Sequence, residues 1–517
     1  MADYDIFIIG GGINGVGIAR DAAGRGIRVG LAEMNDLGGA TSSASTKLFH
    51  GGLRYLEFFE IGLVRKALIE REVLLRAMPH ISWPMRFVLP YHKDMRFEGD
   101  TPASRILSCV MPWMKGRRPA WPIRLGLFLY DHLGGRKILP ATTTVDLTKN
   151  AVGEPLKRVF TKAFEYSDCW IEDARLVALN ARDARDRGAE ILPRHKVINA
   201  ERLDDHWCIT IEGPEGSRDV TATTLVNAGG PWVEDIVRNH LNIIPKAGVR
   251  LVRGSHIVTK QLFDHDKAYF FQGQDGRIIF AIPYETDFTL IGTTDAEHDD
   301  VHTTPQASGG EQDYLIDFAN QYFKAQISRS DVVWTYSGVR PLYDDGAKSA
   351  TAATRDYVLT VNDTGPVLLN IFGGKITTYR KLAENVLEKL GFHGAWTAGV
   401  PLPGGDFAVS ERDDLAGRLR AEFTYLTPYW AQRLIRAYGT DAWRVLGRAA
   451  ASADLGQDFG ATLTAAEVDY LMTCEFAMTA DDVVWRRSKL GLRLTPEQIK
   501  VINDYMLARA LALKGAL

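Results

Sequence analysis

Residues 4–33, YDIFIIGGGINGVGIARDAAGRGIRVGLAE, decide the fold. After Asp5 the apolar run Ile6, Phe7, Ile8 and Ile9 suits a short strand buried on both faces. Gly10, Gly12 and Gly15 then fall at the G-x-G-x-x-G spacing. The first permits a tight turn, the second lets backbone approach a diphosphate, and the third brings helix close to strand. Ile13, Val16, Ala19, Ala22 and Ala23 follow at helical intervals, and Gly26 stands where that helix would end. A second strand over 27–32 delivers Glu33 at its carboxyl end, placed to accept hydrogen bonds from both hydroxyls of an adenosine ribose. The helix start turns unpaired amides and a positive dipole end toward the diphosphate. A lone glycine motif is weak, but strand, glycines, helix, strand and acid in this order within one βαβ-sized window mark a dinucleotide site.

A chain of 517 residues has room for two or three domains with large cores. Its hydrophobic and charged fractions, 46% and 24%, are those of an ordinary globular protein. A net charge of -3 argues against a strong overall basic field, so nucleic acid is not an expected partner. Cys109, Cys169, Cys208 and Cys474 are scattered, with no C-x-x-C and no metal-like cluster. They read as core residues in a reducing compartment, and no metal is expected. The chain enters a strand at once, so no secretory signal is expected, and no apolar run approaches the roughly 20 residues that span a bilayer. A cytosolic or peripheral protein is expected.

Beyond Glu33 the segment 37–57 reads LGGATSSASTKLFHGGLRYLE. Its run 38–46 holds almost only Gly, Ala, Ser and Thr, which is the composition of a flexible loop. Small residues also let backbone lie against a flat ligand, and Thr41, Ser42 and Ser45 offer hydroxyls to ribityl and phosphate oxygens. Lys47, His50, Gly51, Gly52, Arg54 and Tyr55 come directly after, a switch that a solvated loop has little reason to make. A cofactor-facing loop leading into substrate contacts is the favoured reading. Residues 63–78 form an amphipathic helix stopped by Pro79, and a shift to Pro, Trp and Arg over 83–139 reads as entry into a second domain. Residues 172–188 form another helix with one charged face, and 189–192 and 207–212 read as strands of a small meander. TLVNAGGPW at 224–232 ends a strand in Ala228, Gly229 and Gly230, letting the chain pass close to the dinucleotide. From 248 to 333 the pattern is strand-like and fits an antiparallel sheet. SGVRPLY at 337–343 and LLNIFGGKITTYR at 368–380 return to the strand–glycine–helix style of the opening.

The fold class expected is therefore α/β. A discontinuous dinucleotide domain (1–78, 150–246 and 331–395) holds an inserted antiparallel β substrate domain (79–149 and 247–330). After the PLPGG linker, residues 401–517 are helical in pattern.

A cofactor with two ends needs contacts from two parts of the chain. The Ser/Thr loop and the Gly373–Gly374–Lys375 turn, with Thr377 after it, supply the second set. Amides near Gly373 and Gly374 would stabilise negative charge on a reduced isoalloxazine, which suits FAD. Cations recur beside glycine turns: Arg54, Arg253 with His256, Arg340 and Lys375. Each alone is as readily a structural ion pair, but their convergence points to a small anionic substrate, since guanidinium forks match phosphate or carboxylate. His50 and His256 are the candidate proton acceptors, because an imidazole can take an alcohol's proton as hydride leaves its carbon.

Taken together, GGGINGVGIARDAAGRG, SSASTKLFHGGLRYLE, NAGGPW, RGSHIV, IGTTD, SGVRPL, GGKITTYRKLAE and the late VVWRRSKLGL resemble the FAD-dependent glycerol-3-phosphate dehydrogenases from end to end. The resemblance implies a glutathione-reductase-like FAD domain whose contacts include Gly10, Gly12, Asn14, Gly15, Glu33, Thr41, Ser42, Ser45, Lys47, Ala228, Gly229, Gly373, Gly374, Lys375 and Thr377. It implies an antiparallel substrate domain and a C-terminal helical domain. It also implies oxidation of sn-glycerol 3-phosphate to dihydroxyacetone phosphate, with electrons passed on to a membrane quinone. Arg54, Tyr55, Arg340 and Lys375 would surround the substrate, Arg340 would share the catalytic centre with His50 or His256, and the resemblance does not choose between the histidines. The protein would be a homodimer attached peripherally to the cytoplasmic face of the inner membrane.

For that attachment, Lys115, Arg117, Arg118 and Arg124 interleave with Trp113, Trp121, Leu125, Leu127, Phe128 and Tyr130 in a pattern that suits an anionic headgroup region. A domain-packing segment with a charged rim would read the same way. Arg486, Arg487 and Lys489 are a second candidate patch. Two other functions fit the residues: a cytosolic flavin oxidase of a small anion that uses oxygen, and a non-catalytic flavin-binding assembly protein.

Overall fold

The computed structural model describes residues 2–93, 95, 101–102, 104, 119–245, 247–273, 277–344 and 356–514. Strand Tyr4–Ile9 lies between two parallel neighbours, Val29–Glu33 and Gly216–Asn227. Its alternation explains the unbroken apolar run. Ile6 and Ile8 face a core shared with helices Ile13–Gly24, Asp173–Asp186 and Tyr379–Lys389, while Phe7 and Ile9 face a second cluster around Trp207 and Ile236. Glu190–Pro193 extends the sheet beyond Val29–Glu33, and Val367–Phe372 with Val358–Asn362 extends it on the other side. The first helix ends at Gly24, and Gly26 takes the left-handed φ of +77° that turns the chain back into the sheet. The strands expected as a small meander divide. Glu190–Pro193 joins the parallel sheet, and Trp207–Gly213 pairs antiparallel with Lys196–Arg202 and Gly216–Asn227.

The second sheet runs in the order Ala296–Glu297, Val249–Lys260, Phe288–Gly292, Ile278–Tyr284, Ala268–Gln272, Ser82–Tyr91, Lys162–Ile171 and Leu48–Phe49. All its pairs are antiparallel except Ala268–Gln272 with Ser82–Tyr91. Three strands expected in the dinucleotide domain belong here, the first being Leu48–Phe49, within the expected 1–78. Lys162–Ile171, within the expected 150–246, pairs along Ser82–Tyr91, and Val332–Tyr343, within 331–395, pairs along Val249–Lys260. The chain thus crosses between the sheets more often than composition shifts reveal, and each crossing puts residues at the junction. A helix, Gly309–Tyr322, also interrupts the region read as strands, and Ser308 and Glu311 form a capping box at its start.

The C-terminal region has its own apolar core, built by helices Arg412–Glu422, Pro428–Tyr438, Ala442–Leu446, Ala465–Cys474 and Pro496–Lys514. A small hairpin, Asp458–Gly460 with Leu463–Thr464, departs from the all-helical expectation. This region covers the charged face of Asp173–Asp186: Arg175 meets Glu475 at 2.8 Å and Arg182 meets Asp441 at 2.6 Å. That face is charged because it carries an interface of ion pairs. Unpairing one of these buried charges would be costly, so the contacts specify how the two parts dock. No described helix is long and apolar enough to cross a membrane.

Candidate active site

A cavity of about 950 Å³ lies where the two sheets meet. Its floor is the glycine turn after Tyr4–Ile9. Gly10 has φ +107°, and a Cβ there would stand 2.6 Å from the Ala228 carbonyl oxygen. A Cβ on Gly15 would stand 1.9 Å from the Gly10 carbonyl oxygen, so Gly15 packs helix on strand and does not line the cavity. Gly12 caps the helix with no side-chain bond, leaving the helix start turned to the cavity; the Ile13 amide donates to Ser42 Oγ at 3.0 Å. Asn14 Nδ2 donates to the Gly373 carbonyl at 3.2 Å and so joins the two glycine turns. Its Oδ1 is buried and has no partner among the described residues. Glu33 Oε2 accepts from the Gly11 amide at 2.7 Å and Oε1 from the Asn35 amide at 2.8 Å. Each oxygen keeps a lone pair for a ribose hydroxyl. Burial, which outweighs these two amides, raises the Glu33 carboxyl above its ordinary value of 4.5.

Thr41, Ser42, Ser45, Ala228, Gly229, Gly373, Gly374, Lys375 and Thr377 all line the cavity. The three loop hydroxyls singled out already have protein partners: Thr41 donates to the Val339 carbonyl at 2.6 Å, Ser45 to Asp173 at 2.7 Å, and Ser42 accepts from the Ile13 amide. Lys47 is a correction. Expected at the cofactor, it is wholly buried outside the cavity wall, 2.6 Å from Asp173, where it ties the loop to a helix start. The small Ser/Thr residues around it hid this role, because an ion pair across 126 residues leaves no local signal.

The substrate candidates come together from three segments. His50, Arg54 and Tyr55 follow the Ser/Thr loop, His256 and Arg340 stand on neighbouring strands, and Lys375 follows the second glycine turn. The Lys375 ammonium lies 3.9 Å from the Tyr55 ring centroid. Arg340 pairs with Asp295 and lies 3.3 Å from Thr293 Oγ1, so its guanidinium is already oriented by an acid. Asp295 belongs to the IGTTD motif but was not singled out as a site residue. Arg253 stands outside the cavity wall and pairs with Glu311 at 2.7 Å, a structural ion pair.

His256 is buried, stacks on Tyr336 at 4.6 Å, and has Nε2 3.0 Å from Thr46 Oγ1. Its Nδ1 has no partner among the described residues. Burial first, then the Arg340 and Lys47 cations, hold its imidazole well below 6.5, in the neutral form a base requires. Gly292 makes room for the ring, since a Cβ there would stand 2.0 Å from His256 Cδ2. The loop bearing His50 is held from behind. The Gly51 amide donates to Tyr130 Oη at 2.7 Å, Tyr130 donates to Asp168, and Asp168 pairs with Arg71 at 2.5 Å. Asp168 and Tyr166 also reach the cavity wall, and both escaped the sequence reading because they sit in mid-strand with no motif around them.

Residues 5–380 match the FAD dependent oxidoreductase family, and residues 395–507 match the C-terminal domain of alpha-glycerophosphate oxidase. The aerobic glycerol-3-phosphate dehydrogenase of Escherichia coli is 44% identical over 515 residues, covering 98% of each chain. The chain belongs to the FAD-dependent glycerol-3-phosphate dehydrogenase family. The D-erythritol 1-phosphate dehydrogenase of Brucella abortus is 47% identical over 499 residues, covering 95% of each chain. The glycerol-3-phosphate dehydrogenase of Bacillus halodurans, solved in complex with FAD, superposes with a TM-score of 0.70 at 26% identity, over 98% of this chain and 94% of that one. This family member is an FAD enzyme. The cavity fits the cofactor: a helix start with a glycine cap turned to the diphosphate, a carboxylate with lone pairs to spare for the ribose, and glycines where no side chain would fit.

Proposed function

We propose that the enzyme oxidises sn-glycerol 3-phosphate to dihydroxyacetone phosphate and passes the electrons to a membrane quinone. The observation that carries this reading is the convergence of Arg54, Arg340 and Lys375, from three separate segments, on the wall that also holds His50 and His256. Three cations beside two imidazoles suit a small phosphate ester whose alcohol is to be deprotonated. FAD, when bound, supplies the hydride acceptor. The chain's own residues bind the phosphate through the cations, keep a neutral imidazole at the alcohol, and take its proton at a ring nitrogen. Asp295 keeps the Arg340 fork from collapsing onto another acceptor before substrate arrives.

The 47% identical erythritol phosphate relative supports a second substrate of the same chemistry, one carbon longer. The test is anaerobic bleaching of the flavin absorbance by each ester. Bleaching by glycerol 3-phosphate at the lower concentration supports the first reading. No bleaching by glycerol 3-phosphate overturns it, and preferential bleaching by D-erythritol 1-phosphate replaces it with the second.

A lipid-soluble acceptor requires a meeting with the bilayer, on the cytoplasmic face in this reading, and a homodimer would present two such faces. Helix Ala120–Leu133 supports it. Trp121 (55% exposed), Leu125, Phe128 (51%) and Leu129 leave an apolar stripe uncovered, with exposed Phe59 and Ile61 in the segment beside it. Lys115, Arg117, Arg118 and Trp113 lie outside the described residues, and Arg124 donates to Thr142 at 2.7 Å. The second patch is corrected. Arg487 and Lys489 are buried and Arg486 is paired with Asp36 and Asp482, so none is free for a headgroup. Turnover with a quinone analogue against oxygen separates a dehydrogenase from an oxidase.

A further inference from the structure

The short turn Asp482–Arg487 of the C-terminal region lies outside the cavity wall, yet it grips both ends of the cavity from behind. At one end is the loop after Glu33. Met34, Asn35, Gly38 and Gly39 of that loop face the cavity, and Asp36 points away from it. Arg487 forks onto Asp36, with Nη1 and Nη2 at 2.5 and 2.7 Å from the two carboxylate oxygens, and Arg486 joins the same carboxylate. Arg487 is wholly buried and Asp36 is 3% exposed. Asp482 holds the neighbouring wall. It accepts from Arg194 at 2.9 Å, and the Arg194 amide donates to the Asn35 carbonyl at 2.8 Å. The adjacent His195 amide donates to the Glu33 carbonyl, also at 2.8 Å.

At the other end, the Trp485 ring stacks on Trp334 with centroids 4.8 Å apart and planes 17° apart. Trp334 leans on Tyr336 at 5.0 Å, and Tyr336 stacks on His256 at 4.6 Å. Tyr336 Oη also donates to the Ser45 carbonyl at 2.8 Å. Four rings in series therefore run from the C-terminal region to the imidazole that borders the cavity. Side chains that touch no ligand but lock those that do are what hold a site to sub-ångström geometry.

We infer that Asp482–Arg487 is a two-ended brace: Arg486, Arg487 and Asp482 are positioning residues for the loop beside Glu33, and Trp485 is a positioning residue for His256. The C-terminal region then sets cofactor retention as well as overall stability. The first arm rests on the FAD assignment alone; the second rests on the proposed substrate, whose failure would show in the parent enzyme.

The test compares holoenzymes. Equilibrium release of flavin fluorescence on dilution measures the FAD Kd, and the urea midpoint at saturating FAD measures stability. Arg487→Gln is expected to raise the FAD Kd about tenfold or more, the range for lost supporting contacts around a site. Arg182→Gln also breaks a contact between the C-terminal region and helix Asp173–Asp186, but one made to Asp441 and Tyr470 and not to the loop, and should lower the urea midpoint with the Kd unchanged. Trp485→Ala should lower kcat for glycerol 3-phosphate about tenfold with the FAD Kd unchanged, and Trp485→Phe should restore most of it. If Arg487→Gln gives no soluble protein, Arg486→Gln, which leaves the Arg487 fork in place, is read for a raised Kd instead. A Kd no different from that of Arg182→Gln, or a Trp485→Ala enzyme with parental kcat, overturns the brace.

Discussion

Glu33 shows how much a single residue carries at this site. Its two oxygens are each oriented by one backbone amide, so Glu33→Gln would turn an NH₂ group against either the Gly11 or the Asn35 amide. FAD affinity should fall by about 1.5–3 kcal/mol, the range for hydrogen bonds to a charged group, and flavin retention on dilution measures it. Arg340 carries the substrate end. Arg340→Ala should raise the KM for glycerol 3-phosphate while flavin content stays parental. Because the side chain is about a third exposed, a loss near 2 kcal/mol is expected, the low end for a truncated charge pair. Part of that loss is repulsion from the Asp295 carboxylate left behind, so Arg340→Ala/Asp295→Asn should recover some affinity. An unchanged KM in the single variant would remove Arg340 from the substrate site.

Among the elements, helix Ala120–Leu133 has two faces with different duties. Inward, Tyr130 holds the Gly51 amide and Asp168; outward, the stripe of Trp121, Leu125 and Phe128 is half-exposed. Trp121→Glu/Leu125→Glu should cut binding to anionic vesicles and slow quinone reduction while anaerobic bleaching by substrate stays parental. Vesicle binding equal to the parent's would move the anchor elsewhere. Element by element, what sequence disclosed was what is local. The opening strand–turn–helix–strand unit was legible because every contact that defines it lies within one 30-residue window. The helix Gly309–Tyr322 was missed beside strong strand signals, although Ser308 and Glu311 stood at capping-box spacing. The cavity's glycines and cations were legible from their motifs. Asp168, the Lys47–Asp173 pair and the crossing of Val332–Tyr343 into the second sheet were not, since each is set by a partner far along the chain.

At the scale of the whole molecule, the junction of the two large parts contains His80. Its ring is wholly buried against Gly404, Gly439 and Phe407, with the Pro403 backbone as its polar neighbour. Burial first, then Arg175 and Arg182, push its imidazole down from 6.5 to about 3. The unfolded chain therefore binds a proton between those values that the folded chain refuses. The associated stability is fully present above 6.5 and is lost as pH falls toward 3. Near pH 5 the loss should be about 2 kcal/mol, and His80→Leu should flatten the urea midpoint's dependence on pH between 7 and 5 by about that amount. A slope unchanged by the substitution would assign the acid lability to other groups.

The pairing of Asp36 with Arg486 and Arg487 also bears on how the protein is made. Those partners are 450 and 451 residues apart, so a ribosome adding about 5–20 residues each second needs about 20–90 s to deliver the second after the first. Through that interval the nucleotide-binding motif at the front of the chain has its glycines and its acid, but the loop after Glu33 lacks the Arg486 and Arg487 contacts to Asp36. If the brace holds, firm flavin capture waits on synthesis of residues 482–487: a message truncated shortly before codon 482 should yield a chain with both sheets encoded and a weaker hold on its prosthetic group. Quality control that discriminates colourless from yellow protein would then be reading whether the buried Asp482–Arg487 turn had docked.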